Sequence, residues 1–300
     1  VIQQDTPQGV DPQADTPTAT DETPKKTEIK RVALKEQGAR LPLGIINTDG
    51  TYTKDIAVRR WRMAEERELG ELRDKNRDAN VAQFVGMVLA TMCTQLGRHK
   101  FEELKQEERR IHISQMFMGD VFYAYVWLRL QTLGSELHLN LRCPNCGFRF
   151  PLVADLETIE VDGCDTLEEC MWEYKLKESF EIRGKEVTDL LMGPARWTSL
   201  ESMQGVGGLN TGAAKASVIL GSIHGIANWK DKDGKPMQVA LAESELDEMG
   251  KRDIEAITNR VDEHAVGPNM SVEGSCQRCR YQYKLAIDWG YDSFFGDSSP

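Results

Sequence analysis

Residues 137–152 read LHLNLRCPNCGFRFPL, and residues 271–287 read SVEGSCQRCRYQYKLAI. In the first stretch Leu137, Leu139 and Leu141 alternate with polar residues up to Cys143, and Phe148, Phe150 and Leu152 alternate after Gly147. In the second, Val272 leads into Cys276, and Tyr281, Tyr283, Leu285 and Ile287 alternate after Cys279. A period of two is the mark of a half-buried strand, so each CxxC pair sits in a turn between strands. Such a turn presents two thiolates at a bite that suits tetrahedral zinc, and two turns complete the four positions. The spacing predicts one structural Zn2+ held by Cys143, Cys146, Cys276 and Cys279, with no open position for a water nucleophile. The main rival is a redox dithiol. That chemistry is favoured where the first cysteine opens a helix, and neither pair does. Cys146 and Cys276 are 129 residues apart, counting only those between them. The expected module is therefore a small antiparallel β zinc ribbon assembled from two distant CxxC hairpins.

Seven cysteines is an odd number, which argues against a closed disulfide framework. Cys93 lies beside an apolar helix face and reads as a small core residue. Cys164 and Cys170 flank an acidic stretch, and free thiols are favoured there over a third metal or redox pair.

Working outward, residues 113–133 and 81–96 are the apolar helices. Val81, Phe84, Val85, Val88, Leu89, Met92 and Leu96 form one face, with Gly97 as the stop. Ile113 to Leu133 forms a second, greasier helix. A hairpin is expected from Trp172 to Ile182 with Arg183, Gly184 and Lys185 as its turn. Further helices are expected over residues 213–226 and 244–261, the latter ended by Gly267 and Pro268. The expected class is α+β, mainly helical. Its expected divisions are a disordered tail (1–28), an extended β arm (29–60), a helical segment (61–133) and the first half of the ribbon (134–163). An inserted hairpin with helices (164–266) and the second half of the ribbon with an aromatic C-terminus (267–300) complete it.

The chain of 300 residues is 40% hydrophobic and 28% charged, which is globular composition, and its net charge of −11 disfavours nucleic acid as a partner. No apolar run is long enough for a membrane span, and no basic-then-apolar leader opens the sequence. A chain made and kept in the cytoplasm is expected. The Gly-rich run Gly205–Gly212 lacks the Lys-Ser/Thr of a phosphate loop. His99, His112, His138, His224 and His264 form no triad or metal motif. No catalytic constellation is visible, so a non-enzyme is expected. Phe294 and Phe295 must fold back on the ribbon or insert into a partner; the sequence leaves both open.

The order of these features resembles the baseplate hub assembly proteins of T-even-like contractile-tailed phages, which are related in pattern to tail assembly chaperones. The resemblance rests on Leu41 and Pro42, Tyr52, Glu65 to Leu72, Leu137 to Gly147, Gly184, Lys185 and Val187. It continues through Leu220 to Ile226, Asp253 to Val261, Gly267 and Pro268, Cys276 to Cys279, and Phe294 and Phe295, covering roughly residues 29–296. The first 28 residues look like an addition, and the 129-residue insert is longer than usual for the pattern. The resemblance implies a non-enzymatic role in building or forming a tail baseplate through contacts with other baseplate and tail proteins. The expected location is the infected host's cytoplasm during assembly, or the virion tail. The oligomeric state is not legible. The rival reading is a zinc-ribbon nucleic-acid-binding or transcription accessory protein, favoured by Arg142, Arg149, Arg278, Arg280 and Lys284 around the cysteines.

Overall fold

A computed structural model describes residues 29–47, 49–202, 212–239, 241–287 and 294–295. The expected disordered tail and nearly all of the Gly-rich run lie outside these residues. About 37% of the structure is helix and 34% strand, in five sheets, which overturns the mainly helical expectation. Every strand pairing is antiparallel.

The first sheet sets Glu160–Gly163 between Lys30–Ala33 and Gly267–Pro268. The second runs Arg40–Ile46, Tyr52–Val58, Cys93–Leu96, His99–Lys100. The third runs Pro236–Met237, Ile223–Lys230, Lys185–Met192, Trp172–Ile182. The remaining two are isolated hairpins, Glu136–Arg142 with Arg149–Asp155 and Ser271–Ser275 with Gln282–Ala286. They share no strand pairing, so no ribbon sheet forms between them, and the ribbon expectation is corrected on that ground.

The main core is built on two helices, Val81–Met92 and Met118–Leu133. Asn80 caps the first: its side chain accepts from the Gln83 N–H at 2.8 Å, and the Gln83 side chain accepts from the Asn80 N–H at 3.1 Å. The helix ends at Met92, not at Gly97. Cys93 to Leu96 leave it to pair with Tyr52–Val58, and Gly97, at φ 57°, turns the chain back to His99. The expected helix from Ile113 likewise breaks. Gln106–Ser114 ends, the chain bonds sideways to the Ala195–Trp197 segment, and a new helix starts at Met118. On that helix Gly119 touches backbone: a Cβ there would lie 1.6 Å from the Val266 carbonyl oxygen. This close approach seats the strand Gly267–Pro268.

A second core lies between the third sheet and the helices Gly212–Ser222 and Lys251–Glu263. The helix expected to reach Ile226 stops at Ser222, because Ile223 and Ile226 pair with Met192 and Leu190. The helix expected from Ser244 starts only at Lys251. The hairpin turn is Arg183 and Gly184, both at positive φ (52° and 73°), as a two-residue hairpin turn that follows strand twist requires.

Two buried aspartates fasten helices to sheets in the same manner. Asp120, in the first turn of Met118–Leu133, accepts the Leu43 and Gly44 N–H groups at 2.9 Å, where the second sheet bulges. Asp253, in the first turn of Lys251–Glu263, accepts the Lys177 and Glu178 N–H groups and the Tyr174 hydroxyl, where the third sheet bulges. A bulge leaves ladder donors unpaired, and a carboxylate at a helix N-terminus is well placed to take them.

Candidate metal centre

The two isolated hairpins meet at their turns. Their roots sit in the main core through Leu137, Leu139, Val272 and Ile287. Their tips share a small core of their own, with Cys143, Cys276, Phe150 and Tyr283 buried and the Phe150 and Tyr283 rings 5.6 Å apart. So few apolar side chains cannot hold a fold unaided, and small modules of this size usually carry a metal or disulfide.

The turns are copies of one another. In the first, the Cys143 N–H donates to the Phe148 carbonyl at 2.9 Å, and the Gly147 N–H donates to the Cys143 carbonyl at 2.9 Å. In the second, the Cys276 N–H donates to the Tyr281 carbonyl at 2.9 Å, and the Arg280 N–H donates to the Cys276 carbonyl at 2.8 Å. The residue after each second cysteine is left-handed: Gly147 at φ 70° and Arg280 at φ 56°. Glycine adopts that conformation freely and arginine does not.

All four Sγ atoms lie within 4.8 Å of one another, the one such cluster of His, Cys, Asp or Glu ligand atoms among the described residues. Cys143 Sγ is 3.7 Å from Cys279 Sγ, and Cys146 Sγ is 3.7 Å from Cys276 Sγ. A Zn–S bond of about 2.3 Å gives a tetrahedron with edges of about 3.8 Å, so these two separations fit, and the other four stay within 4.8 Å. Without an ion, Cys146, Cys276 and Cys279 are driven apart in acidity. Cys279 is drawn down to about 6, first by the Tyr281 backbone N–H, with the Asn145 side-chain amide 3.6 Å away contributing. Cys276 is also lowered, chiefly by the Cys279 backbone N–H. Cys146 goes the other way, up to about 12: the Phe148 N–H favours its thiolate, but burial and the adjoining sulfurs outweigh it. Crowded sulfurs cannot all be thiolates unless a cation neutralises them. The group can therefore hold a metal ion in a closed four-sulfur shell.

The other candidates fall elsewhere. Cys93 is buried and its thiol is pushed up to about 12 by that burial. Cys164 and Cys170 form a disulfide across a Cα–Cα distance of 6.4 Å, which corrects the free-thiol expectation. Their six-residue separation is short enough for a turn to bring them together. His99 packs against His112 with the rings tilted and their centroids 4.2 Å apart, His224 meets the Pro194 carbonyl, and His264 the Arg260 carbonyl. None joins the cysteines. Phe294 is buried and stacks on Tyr125 at 5.1 Å, while Phe295 lies 4.8 Å from Trp61. The pair folds back, but onto the main core through Tyr125 and Trp61, not onto the cysteine hairpins as expected. Sequence reasoning missed the sulfur contact from Asn145 and the left-handed Arg280. The parallel with Gly147, one residue after each CxxC, was the available signal for the latter.

The matched turns and fold sit within a broader similarity. A family model described as T4 bacteriophage base plate protein matches residues 45–296. The chain belongs to that family. Membership of the base plate family points to a structural role, to association with the phage tail, and to contacts with other tail proteins. No curated protein and no solved structure matches the chain. Among the described residues of this base plate family member, no helix is long and apolar enough to cross a membrane.

Proposed function

We propose that this base plate protein is a non-enzymatic building or assembly component of the hub of a contractile tail. In this reading it carries one structural zinc ion on Cys143, Cys146, Cys276 and Cys279. The observation that carries the proposal is the meeting of four sulfurs within 4.8 Å of one another inside a base plate family match that spans both cysteine pairs. Zinc suits the donor set because four thiolates favour soft, tetrahedral ions. A closed shell does no hydrolysis. Its work is to tie residues near 143 to residues near 276 and fix the geometry of both hairpins.

Co-expression with the neighbouring tail genes tests the assembly role. The expected result is a stable complex with at least one baseplate or tape-measure component. Recovery of the chain alone from every pairwise co-expression would sink the proposal. The test is independent of the metal, which elemental analysis settles on the purified chain.

A further inference from the structure

The hairpin tips are unlike the rest of the molecule in charge. Around the cysteines, residues 141–150 and 275–284 contain four arginines and one lysine and no carboxylate, while Glu136, Asp155 and Glu273 lie toward the hairpin roots; in a chain of net charge −11, removing that +5 leaves −16 on the remainder. Lys284 is paired at the tip's base with Glu273 at 2.9 Å. Arg142, Arg149, Arg278 and Arg280 are exposed, and none forms an ion pair with any described residue. Beside them Tyr281 leaves 47% of its surface in water. Four thiolates around a divalent ion would add only −2, so the tip stays cationic with the metal in place.

The opposite chemistry lies on the second core. A groove of about 730 Å³ opens between Gly212–Ser222, residues 243–249 and Lys251–Glu263. Its floor is apolar, with Ile219, Leu246, Met249 and the exposed Ile254. Its rim carries Glu243, Asp247 and Glu255 against Lys215, the one cation among its described lining residues. Glu243 and Asp247 form no ion pair among the described residues, and Glu255 meets only Lys251 of its own helix, at 3.7 Å. An occupant must bring an exposed apolar side chain bordered by cations. The chain's first 28 residues do not qualify, with six carboxylates against two lysines and no aromatic residue. The sequence Arg278, Cys279, Arg280, Tyr281 does.

We infer that the four-cysteine tip of one copy docks into the acidic groove of a second copy. Tyr281 enters over the apolar floor, and Arg278 and Arg280 meet Asp247 and Glu255. Tip and groove are different surfaces, so the contact is head-to-tail and builds a ring or an open chain of copies, not a closed twofold pair. The inference stands on charge and shape within this chain and is tested on purified protein, apart from any tail partner.

Sedimentation of the full, metal-loaded chain over a concentration series at low and high salt tests it. Association should appear at low salt and weaken with added salt. A tip variant, Arg278→Glu with Arg280→Glu, and a groove variant, Asp247→Lys with Glu255→Lys, should each weaken association by more than about tenfold. Mixing the two variants should restore it, since each acidic tip then faces a basic groove and each basic tip an acidic one. Tyr281→Ala, which leaves all charges in place, should weaken association too. Unchanged metal content and circular dichroism establish that the variants fold. A chain monomeric throughout the series overturns the inference, and so does failure of the mixture to associate. A monomer whose tip retards a DNA duplex in a salt-dependent way overturns it in favour of nucleic acid.

Discussion

At the scale of single residues, the two cysteine turns differ at one position. Gly147 and Arg280 occupy the same left-handed place, at φ 70° and 56°. A side chain in that conformation costs roughly 1–2 kcal/mol, which the second turn bears and the first does not. Arg280→Gly should therefore raise stability to urea, by at most about 1 kcal/mol after the added freedom of glycine in the unfolded chain is set against it. Gly147→Ala should lower it by about the same amount. Equal stabilities for wild type and both variants would show that the turns are not under this constraint. Asp120 makes a different prediction. Burial pushes its carboxyl up to about 7, against the pull of the Leu43 and Gly44 N–H groups and of Lys54. An unfolded aspartate titrates near ~3.9, so the folded chain binds the extra proton between these values. The stabilising contribution is then complete below about pH 4 and is lost as pH rises toward 7. Asp120→Asn should flatten that part of the pH–stability profile. It should also cost ~1–3 kcal/mol, since the amide accepts only one of the two buried N–H groups well and sets its own NH2 against the other. A variant with the wild-type slope between pH 4 and 7 would assign the proton elsewhere.

Among elements, the C-terminal aromatic pair ties the chain's far end to its central helix. Phe294 stacks on Tyr125 of Met118–Leu133, and Phe295 bridges Tyr125 and Trp61. Phe294→Ala should cost about 3–5 kcal/mol, the usual range for emptying a buried aromatic site. Thermal unfolding would record this, and a loss under 1 kcal/mol would mean the pair contributes little. How far the elements could be read from sequence follows from what decides them. The strands around Cys143 and Cys276 were legible because alternation and the cysteines point the same way. Asn80 and Gln83 mark their helix start by a local hydrogen-bonded box. The ends at Met92 and Ser222 were not legible. Cys93 to Leu96 and Ile223 to Ile226 continue the apolar spacing of the preceding helix, and only pairing with strands distant in sequence, Tyr52–Val58 and Lys185–Met192, pulls them out of it. The same long-range pairing is why the strand content exceeds what local pattern suggests.

For the molecule as a whole, the base plate family match covers residues 45–296 and the central question is what joins its two halves. The hairpin roots enter the main core, yet the tips have only a handful of apolar side chains between them. A metal on the four sulfurs would supply what that small core lacks. The gathering of the four cysteines was legible in the sequence because CxxC fixes the bite of each pair. That the hairpins would meet tip to tip without sharing a sheet was not, since nothing in either stretch specifies a strand partner outside its own hairpin.

Metal content paired with thermal stability tests this most directly. The purified chain should contain one zinc per molecule. Cys143→Ser and Cys279→Ser should each lose it, and stripping the metal with a chelator should lower the melting temperature of the wild type, with new protease cleavage in both hairpins. A metal-free chain with the same melting temperature and the same protease resistance would contradict the account.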